Sequence, residues 1–278
     1  MKTRYSLLLA VAALLLFPAA RAATITVCPA GPPTCDYSSI QAAINAASDG
    51  DVIAVGAGTY NESLRIDKEL TIDGDSPGSV IINVSGENSA GIRTRANNVT
   101  LQDFTVTGAA SSYSVKIEGI NGVPATGIVI DNVVVQNSSK TGIDVNGVNG
   151  LTIEDVTVRN SQLGNGVTLT DVRNATLERI TTENNTWGGV AMYTSGEFFP
   201  IGVSDITLID INAQEVEEPS ALPIYVDLLK PGSSAAAPAL RIFLDPEEWP
   251  YHLHSDREAL TVFDNHRRMN SRIWRGPR

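Results

Sequence analysis

Histidine, cysteine and aromatic residues are scarce in this 278-residue sequence, which contains three histidines, two cysteines and 6% aromatic residues. All three histidines follow Leu240, so residues 23–240 contain none. A Ser-His-Asp triad needs an imidazole base, and a histidine-bound metal needs imidazole ligands. Both are therefore excluded for residues 23–240, and we expect neither a metal site nor a cofactor.

Basic charge is also in short supply, because 20 Lys and Arg stand against 31 Asp and Glu, and the formal net charge is −11. A protein of this sign is repelled by nucleic acid and by anionic membranes. We therefore expect no nucleic-acid partner. The charge does not point to a particular partner, because acidic residues also serve solubility alone.

Long apolar runs are confined to the N-terminus, where two basic residues precede an apolar segment from Leu7 to Phe17. The small residues Ala20 and Ala22 follow as a cleavage site. This arrangement is typical of a bacterial-type secretory signal peptide over residues 1–22, and the apolar segment is short for a membrane span. We expect a protein that is exported to the periplasm, the cell surface or the medium, with no membrane span.

The two cysteines, Cys28 and Cys35, lie close together near the predicted mature N-terminus. An exported protein meets an oxidising environment, which favours disulfides over free thiols. We therefore predict one disulfide between them, closing a short loop that contains proline and glycine. No histidine lies nearby in the sequence to activate a catalytic thiol.

Short apolar segments recur through the middle of the chain, as in LTIEDVTV from Leu151 and IVIDNVVV from Ile128. Successive copies lie about 23 to 31 residues apart, and a repeat of this length is the signature of stacked structural units. The second apolar residue of the five full copies is, in order, Leu101, Ile130, Ile153, Leu177 and Leu208.

Within each copy the apolar residues change parity. Leu151 and Ile153 occupy odd positions, whereas Val156 and Val158 occupy even ones. Because alternate residues of a strand face the same side, both pairs face inward only if the chain turns a corner at Asp155. A third apolar segment follows in each copy. Three short strands per turn predict a parallel β-helix; a β-sandwich is the alternative, but its strands are typically longer and lack a repeating corner.

Two polar columns support this register. Asparagines recur two residues beyond the second strand and can bond from turn to turn through their amides, as in Asn137, Asn160 and Asn184. Turn-forming residues recur at the first corner, as Asp103, Asn132, Asp155, Arg179 and Asp210. We interpret the corner column as structural rather than catalytic, with Arg179 offsetting the carboxylates beside it.

The stretch before the first repeat has helical spacing. Its apolar residues follow the i, i+3, i+4, i+7 pattern from Ile40 to Ala47, after Ser38 or Ser39 as the N-cap. This predicts a short amphipathic helix within residues 36–50 that caps the N-terminal end of the coil. An uncovered end would leave strand backbone groups unpaired.

The repeat pattern ends after Glu215, and the composition changes again beyond Leu240. The organisation that we predict is a signal peptide at 1–22, a β-helix domain at 23–215 that includes the N-terminal cap, the end of the coil and a linker at 216–240, and a C-terminal tail of unknown structure at 241–278.

The segment from Ser39 to Gly74 resembles the front end of right-handed parallel β-helix proteins of the pectin-lyase-like superfamily. The resemblance is carried by the helix, by a G-T-Y-x-E turn (Gly58 to Glu62) and by an L-T-I-x-G strand that begins at Leu70. It covers residues 37–215. It implies an all-β fold, a right-handed single-stranded parallel β-helix (solenoid) with an N-terminal capping α-helix.

The resemblance implies no single activity, since the superfamily includes lyases, esterases, hydrolases, epimerases and adhesin-like members. The D-P-H-D motif of the epimerases and the N-T-D, G-H-G and R-I-K motifs of the polygalacturonases are absent. The candidate catalytic residues are Lys116, Asp144 and Arg159, which this fold can bring to one face. A solvated surface of mixed charge is the alternative interpretation of these three residues.

A ligand site is predicted from two insertions that follow third strands, one between Val115 and Ile128 and one between Val190 and Ile206. Insertions in repeat proteins map to one face, often the binding face, so we expect a shallow groove between the two loops. The candidate binding residues are aromatic: Trp187, Tyr193, Phe198 and Phe199. The alternative is that Phe198 and Phe199 pack beneath their own loop.

These observations predict an exported, monomeric protein that binds carbohydrate or a cell-surface polymer without catalysis. One alternative is a lyase, epimerase or hydrolase acting on an acidic polysaccharide. A purely structural or adhesive coil is the other.

Overall fold

A computed structural model of the chain describes residues 22–84, 90–108, 112–195, 198, 202–215, 222–227, 240–244, 253–255 and 260–264. The predicted signal peptide, apart from residue 22, therefore lies outside the described residues. Most of the predicted linker also lies outside them.

The described residues form nineteen strands and one helix. The strands before the repeat are β1 (Thr24–Val27), β2 (Val52–Val55), β3 (Gly58–Tyr60), β4 (Leu64–Ile66), β5 (Thr71–Gly74), β6 (Val80–Asn83) and β7 (Ile92–Thr94), and the helix is α1 (Ile40–Ala46). The middle of the chain contributes β8 (Thr100–Thr107), β9 (Val115–Glu118), β10 (Ala125–Gln136), β11 (Ile143–Glu154), β12 (Thr157–Arg159), β13 (Asn165–Glu183), β14 (Gly188–Tyr193) and β15 (Ser204–Gln214). The last four are β16 (Leu222–Asp227), β17 (Leu240–Leu244), β18 (Leu253–Ser255) and β19 (Leu260–Asp264).

Every paired strand in this set is parallel to its neighbour, and each turn of the chain pairs with the next. The predicted apolar column is confirmed, because Ile130 pairs with Leu101 on one side and with Ile153 on the other. The full ladder runs through Ile53, Ile72, Leu101, Ile130, Ile153, Leu177 and Leu208, and all seven side chains are buried. Burial of each contributes on the order of 1.5–3 kcal/mol before conformational entropy is subtracted.

The corner between the first and second strands is also as predicted. Leu151, Ile153, Val156 and Val158 are all buried, while Asp155 between the pairs is exposed. The whole corner column has a positive φ between 50° and 62°. A single left-handed residue reverses which face points inward, and Asp and Asn tolerate that conformation better than most residues.

The asparagine column lies at a second left-handed corner, where Asn137, Asn160 and Asn184 have φ between 53° and 60°. Asn160 Nδ2 donates to Asn137 Oδ1 at 3.2 Å, so these two turns are joined through their side chains as predicted.

Helix α1 is held at both ends by side chains from the next turn. Glu62 accepts from the Ile40 and Gln41 amides at 2.8 and 3.0 Å, and Ser39 is the N-cap residue. Lys68 Nζ donates to three carbonyl oxygens at the other end, within 3.0 Å. Glu62 of the G-T-Y-x-E turn therefore anchors the helix. That helix α1 caps the end of the coil stays a prediction.

The predicted disulfide between Cys28 and Cys35 is present, with the two Cα atoms 6.0 Å apart. The C-terminal region differs from the sequence pattern, because parallel pairing continues from β14 to β16 and β18, and from β15 to β17 and β19. These late segments keep alternating apolar residues but lack the corner motif that marked the earlier repeats. The domain boundaries themselves remain a prediction.

Candidate functional site

The candidate site lies on the outer face of the ladder formed by the third strand of each turn. Register aligns one outward column of side chains in adjacent turns, namely Arg65, Arg93, Lys116, Asp144, Thr168 and Ala191. A second outward column, two residues further along each strand, contains Glu118, Asn146, Thr170 and Tyr193. The two columns place charged and polar groups side by side.

Lys116 and Asp144 form an ion pair between adjacent turns, although both point away from the core. They are only 5% and 4% exposed, and the ring of Tyr113 lies over the ammonium at 4.6 Å. Burial raises the pKa of Asp144, and the Lys116 charge opposes that rise. Burial also raises the pKa of Tyr113, reinforced by the negative charge of Asp144.

Glu118 sits among three cations. Arg95 Nε donates to its carboxylate at 2.8 Å, Arg93 Nε lies 3.7 Å away, and Lys116 Nζ lies 4.0 Å away. Burial lowers the pKa of the nearby Arg65, and repulsion from Arg93 and Arg95 lowers it further. This face is therefore locally basic on a protein whose net charge is negative.

An open cleft of about 280 Å³ lies beside this cluster, where the sequence predicted a groove. Its lining comes from both insertions, from β9 and β11, and from the residue that follows β7: Arg95, Glu118, Gly119, Ile120, Asn121, Asn146 and Phe198. A small backbone turn shapes the first insertion, because Ile120 and Val123 exchange two 2.9 Å hydrogen bonds. The cleft thus combines one aromatic ring with charged and amide groups.

The second insertion is anchored by Asp171, which is fully buried and has a φ of 51°. Its carboxylate accepts from the Ser195 amide at 3.0 Å and from the Phe198 amide at 3.2 Å. The Phe198 ring reaches back over Gly147, where a Cβ atom would lie 2.3 Å from the ring, and over Gly119. Only glycine leaves room for the ring at these positions.

The predicted catalytic residues do not all come together. Lys116 and Asp144 are adjacent, but Arg159 is exposed on the ladder formed by the second strands, where it donates to Gln136 at 2.7 and 3.0 Å. The sequence pattern alone did not separate the ladders of second and third strands, because all three residues occupy outward positions.

The predicted aromatic residues also do not lie together. Trp187 is 56% exposed and directly precedes β14, while Tyr193 ends that strand, about 20 Å away at 3.3 Å per residue. Phe198 lines the cleft and packs over Gly119 and Gly147, and its role in ligand binding stays a prediction. Phe199 lies outside the described residues.

Sequence reasoning missed Arg95, Glu118 and Asn146. A signal was present, because Glu118 and Asn146 follow the predicted candidates Lys116 and Asp144 by two residues, and strand alternation puts residues so spaced on one face. Nothing local indicated Asp171 or Gly147, whose roles depend on a loop from a later turn.

Among the described residues, no group of three His, Cys, Asp or Glu side chains is close enough to hold a metal ion. In the same part of the chain, no helix is both long and apolar enough to cross a membrane.

Residues 80–208 match a family model described as a right-handed β-helix region. A cell surface glycoprotein of Methanothermus fervidus is 34% identical over 108 residues, which are 38% of this chain and 17% of that protein. The chain therefore corresponds to a small part of that relative.

Two solved structures share the fold. The Escherichia coli protein ybhC aligns with a TM-score of 0.52 at 12% identity, and the alignment covers 94% of this chain and 82% of the ybhC chain. A pectin methylesterase mutant in complex with a hexasaccharide aligns with a TM-score of 0.53 at 12% identity, covering 90% and 92%. At this identity the likenesses show the fold alone.

Proposed function

We propose, from the premise that this chain is a right-handed parallel β-helix protein of the pectin-lyase-like superfamily, that it binds carbohydrate at the Phe198 cleft without converting it. The observation that carries the proposal is the composition of the cleft. Phe198 supplies an apolar ring, while Arg95, Glu118 and Asn146 supply hydrogen-bonding groups around it. Sugar recognition needs this combination of an aromatic surface and a few oriented polar groups.

The site chemistry favours binding over catalysis. Glycoside hydrolysis uses a pair of carboxyl groups on opposite sides of the bond. Among the described residues that line the cleft, Glu118 is the single carboxylate, and Arg95 occupies it. Lys116 and Asp144 are buried and bound to each other.

An extracellular or cell-surface location fits the same proposal. The chain begins with a signal-peptide pattern, and Cys28 and Cys35 form a disulfide, which persists in oxidising compartments. The relative from Methanothermus fervidus is named a cell surface glycoprotein. A solved structure with the same fold holds a hexasaccharide. These likenesses support a carbohydrate-related role at the surface.

The test is a glycan array that includes neutral and acidic polysaccharides, followed by calorimetry with the best ligand. We expect Phe198→Ala to weaken binding about five-fold, since loss of an aromatic contact costs about 1 kcal/mol. Leu163→Ala is the matched control, because Leu163 is an exposed apolar side chain outside the cleft lining. Equal loss in both variants would contradict the proposed site.

Two results would replace the proposal with its alternatives. Release of unsaturated products from a polyuronate, abolished by Lys116→Ala, would establish a lyase. Attachment to cells with no affinity for any arrayed glycan would establish an adhesive coil.

A further inference from the structure

We propose that Lys116 and Asp144 act as a positioning pair, which orients the polar lining of the cleft without touching the ligand. The inference rests on the proposed carbohydrate site, and it assigns a role to two buried ionised groups that the cleft itself leaves unexplained. It differs from a catalytic role, because the two side chains act through Glu118 and Asn146.

The Lys116 ammonium is the centre of this arrangement. It pairs with Asp144 in the next turn and lies 4.0 Å from Glu118 Oε1 in its own strand. Tyr113 covers it, with the ring centroid 4.6 Å from Nζ, and the Lys116 side chain is 6% exposed. A group so enclosed is not free to reach a ligand in the cleft.

Asn146 is the second lining residue that depends on this ammonium. Because an ammonium only donates hydrogen bonds, the Asn146 amide fits with its oxygen toward Lys116 Nζ. Its nitrogen then donates to the carbonyl of Val145 at 3.1 Å and to Thr170 Oγ1 at 3.2 Å. Lys116 thereby sets the orientation of the Asn146 amide in the wall of the cleft.

Glu118 is held in a similar way from two sides. Arg95 and Arg93 attract its carboxylate from the preceding turn, and Lys116 attracts it from within the same strand. Loss of the lysine charge leaves the arginines as the remaining cations near Glu118. The carboxylate then moves toward Arg95, and the guanidinium is less available to a ligand.

Stability alone does not explain the pair. Taking two charges out of water is costly, and an apolar pair of similar volume is often equally stable or more so. The contacts of Lys116 with two cleft residues supply a reason for charge at this place. The prediction is that the pair can be neutralised without loss of the fold but with loss of binding.

The experiment compares wild type with Lys116→Met/Asp144→Leu, using thermal unfolding and calorimetry with the best ligand from the array. The double variant leaves no unpaired buried charge, so we expect it to melt close to wild type and to bind at least ten-fold more weakly. Lys116→Met alone is the companion variant, and its poorer folding does not affect the comparison. Wild-type affinity in a folded double variant would overturn the inference.

A mutant cycle with Asn146→Ala separates positioning from general damage. If Lys116 orients Asn146, Asn146→Ala weakens binding several-fold in wild type and changes little in the neutralised background. An equal fold-decrease in binding affinity in both backgrounds would show that the two residues act independently and would overturn the inference. If wild type binds no glycan at all, the proposed function fails and the inference fails with it. If wild type binds and the folded double variant binds equally well, the inference alone fails.

Discussion

Two clusters of charge in this protein have similar parts but very different surroundings. At the first corner, Arg179 pairs with Asp155 in the preceding turn, and their side chains are 40% and 45% exposed. On the third-strand face, Lys116 pairs with Asp144 in the following turn, and both are nearly inaccessible. Each pair joins adjacent turns of the same coil, so topology does not distinguish them.

The contrast teaches that burial, not the presence of opposite charges, decides what a cluster does. Arg179 holds down the pKa of the Asp155 carboxyl through a direct hydrogen bond at 2.7 Å, and water screens the rest of the network. The Asp144 carboxyl has its pKa raised by burial despite its cationic partner. The corner cluster therefore stabilises a turn. In the buried cluster, Lys116 and Asp144 are removed from water beside the cleft, which costs free energy.

The largest expected effect comes from removing one partner of the buried pair. Lys116→Met leaves Asp144 buried without a counter-charge, which we expect to lower the free energy of unfolding by about 3–5 kcal/mol at pH 7. Urea denaturation measures this difference. Lys116→Met/Asp144→Leu is the control and should recover most of the loss; a single variant as stable as the double would contradict the comparison.

The loss of unfolding free energy caused by Lys116→Met, called the deficit below, should depend on pH. A carboxyl whose folded pKa lies above the unfolded value of about 3.9 contributes most stability below that value, and the contribution is lost as pH rises through the folded pKa. Removal of Lys116 removes a charge that opposes the rise, so the deficit of Lys116→Met should widen from pH 4 to pH 7. Urea titrations across this range test it, and a deficit independent of pH would show that Asp144 is not the cause.

An intermediate effect on glycan binding is expected at Gly147, which lies under the Phe198 ring, in comparison with Gly150, which does not contact the ring. Gly147→Ala and Gly150→Ala each place a Cβ at a positive φ, of 65° and 91°, which costs about 1–2 kcal/mol. The Cβ at residue 147 also meets the Phe198 ring, whereas the one at residue 150 meets only a backbone nitrogen at 3.7 Å. We expect similar melting temperatures but weaker glycan binding for Gly147→Ala alone; equal binding would show that the Phe198 position is unimportant.

The smallest effect is expected at the exposed corner. Arg179→Asn keeps a residue that tolerates the left-handed conformation and removes only a screened charge. The melting temperature should change by no more than about 3 °C, and 1 M NaCl should remove the difference. Calorimetry at low and high salt provides the measurement. A shift as large as that of Lys116→Met would end the distinction between the two clusters.

Much of the fold was predictable, because its determinants are local. The pairing of Ile130 with Ile153 follows from residue spacing, and the corner at Asp155 follows from the change of parity. Strands β16 to β19 were not recognised, since they lack that corner, although backbone pairing from the preceding turns continues through them.

The site was predictable only in part. Spacing placed Lys116 and Asp144 in adjacent turns, and the two insertions located the cleft. Arg159 lies on the ladder of second strands and not beside Lys116, because an outward position does not say which ladder carries it. Trp187 is separated from Tyr193 by the length of β14, which the repeat pattern did not reveal.

By itself the sequence determined the stacking of the turns, because two-residue alternation and left-handed corners depend on neighbouring residues alone. Only the tertiary structure decided that Lys116 and Asp144 are buried while Arg179 stays in water. Tyr113 covers the Lys116 ammonium, and a loop anchored at Asp171 places Phe198 over Gly119 and Gly147 in the neighbouring cleft. The ion pair itself joins residues 28 positions apart, so its burial depends on how the turns stack and not on a local pattern.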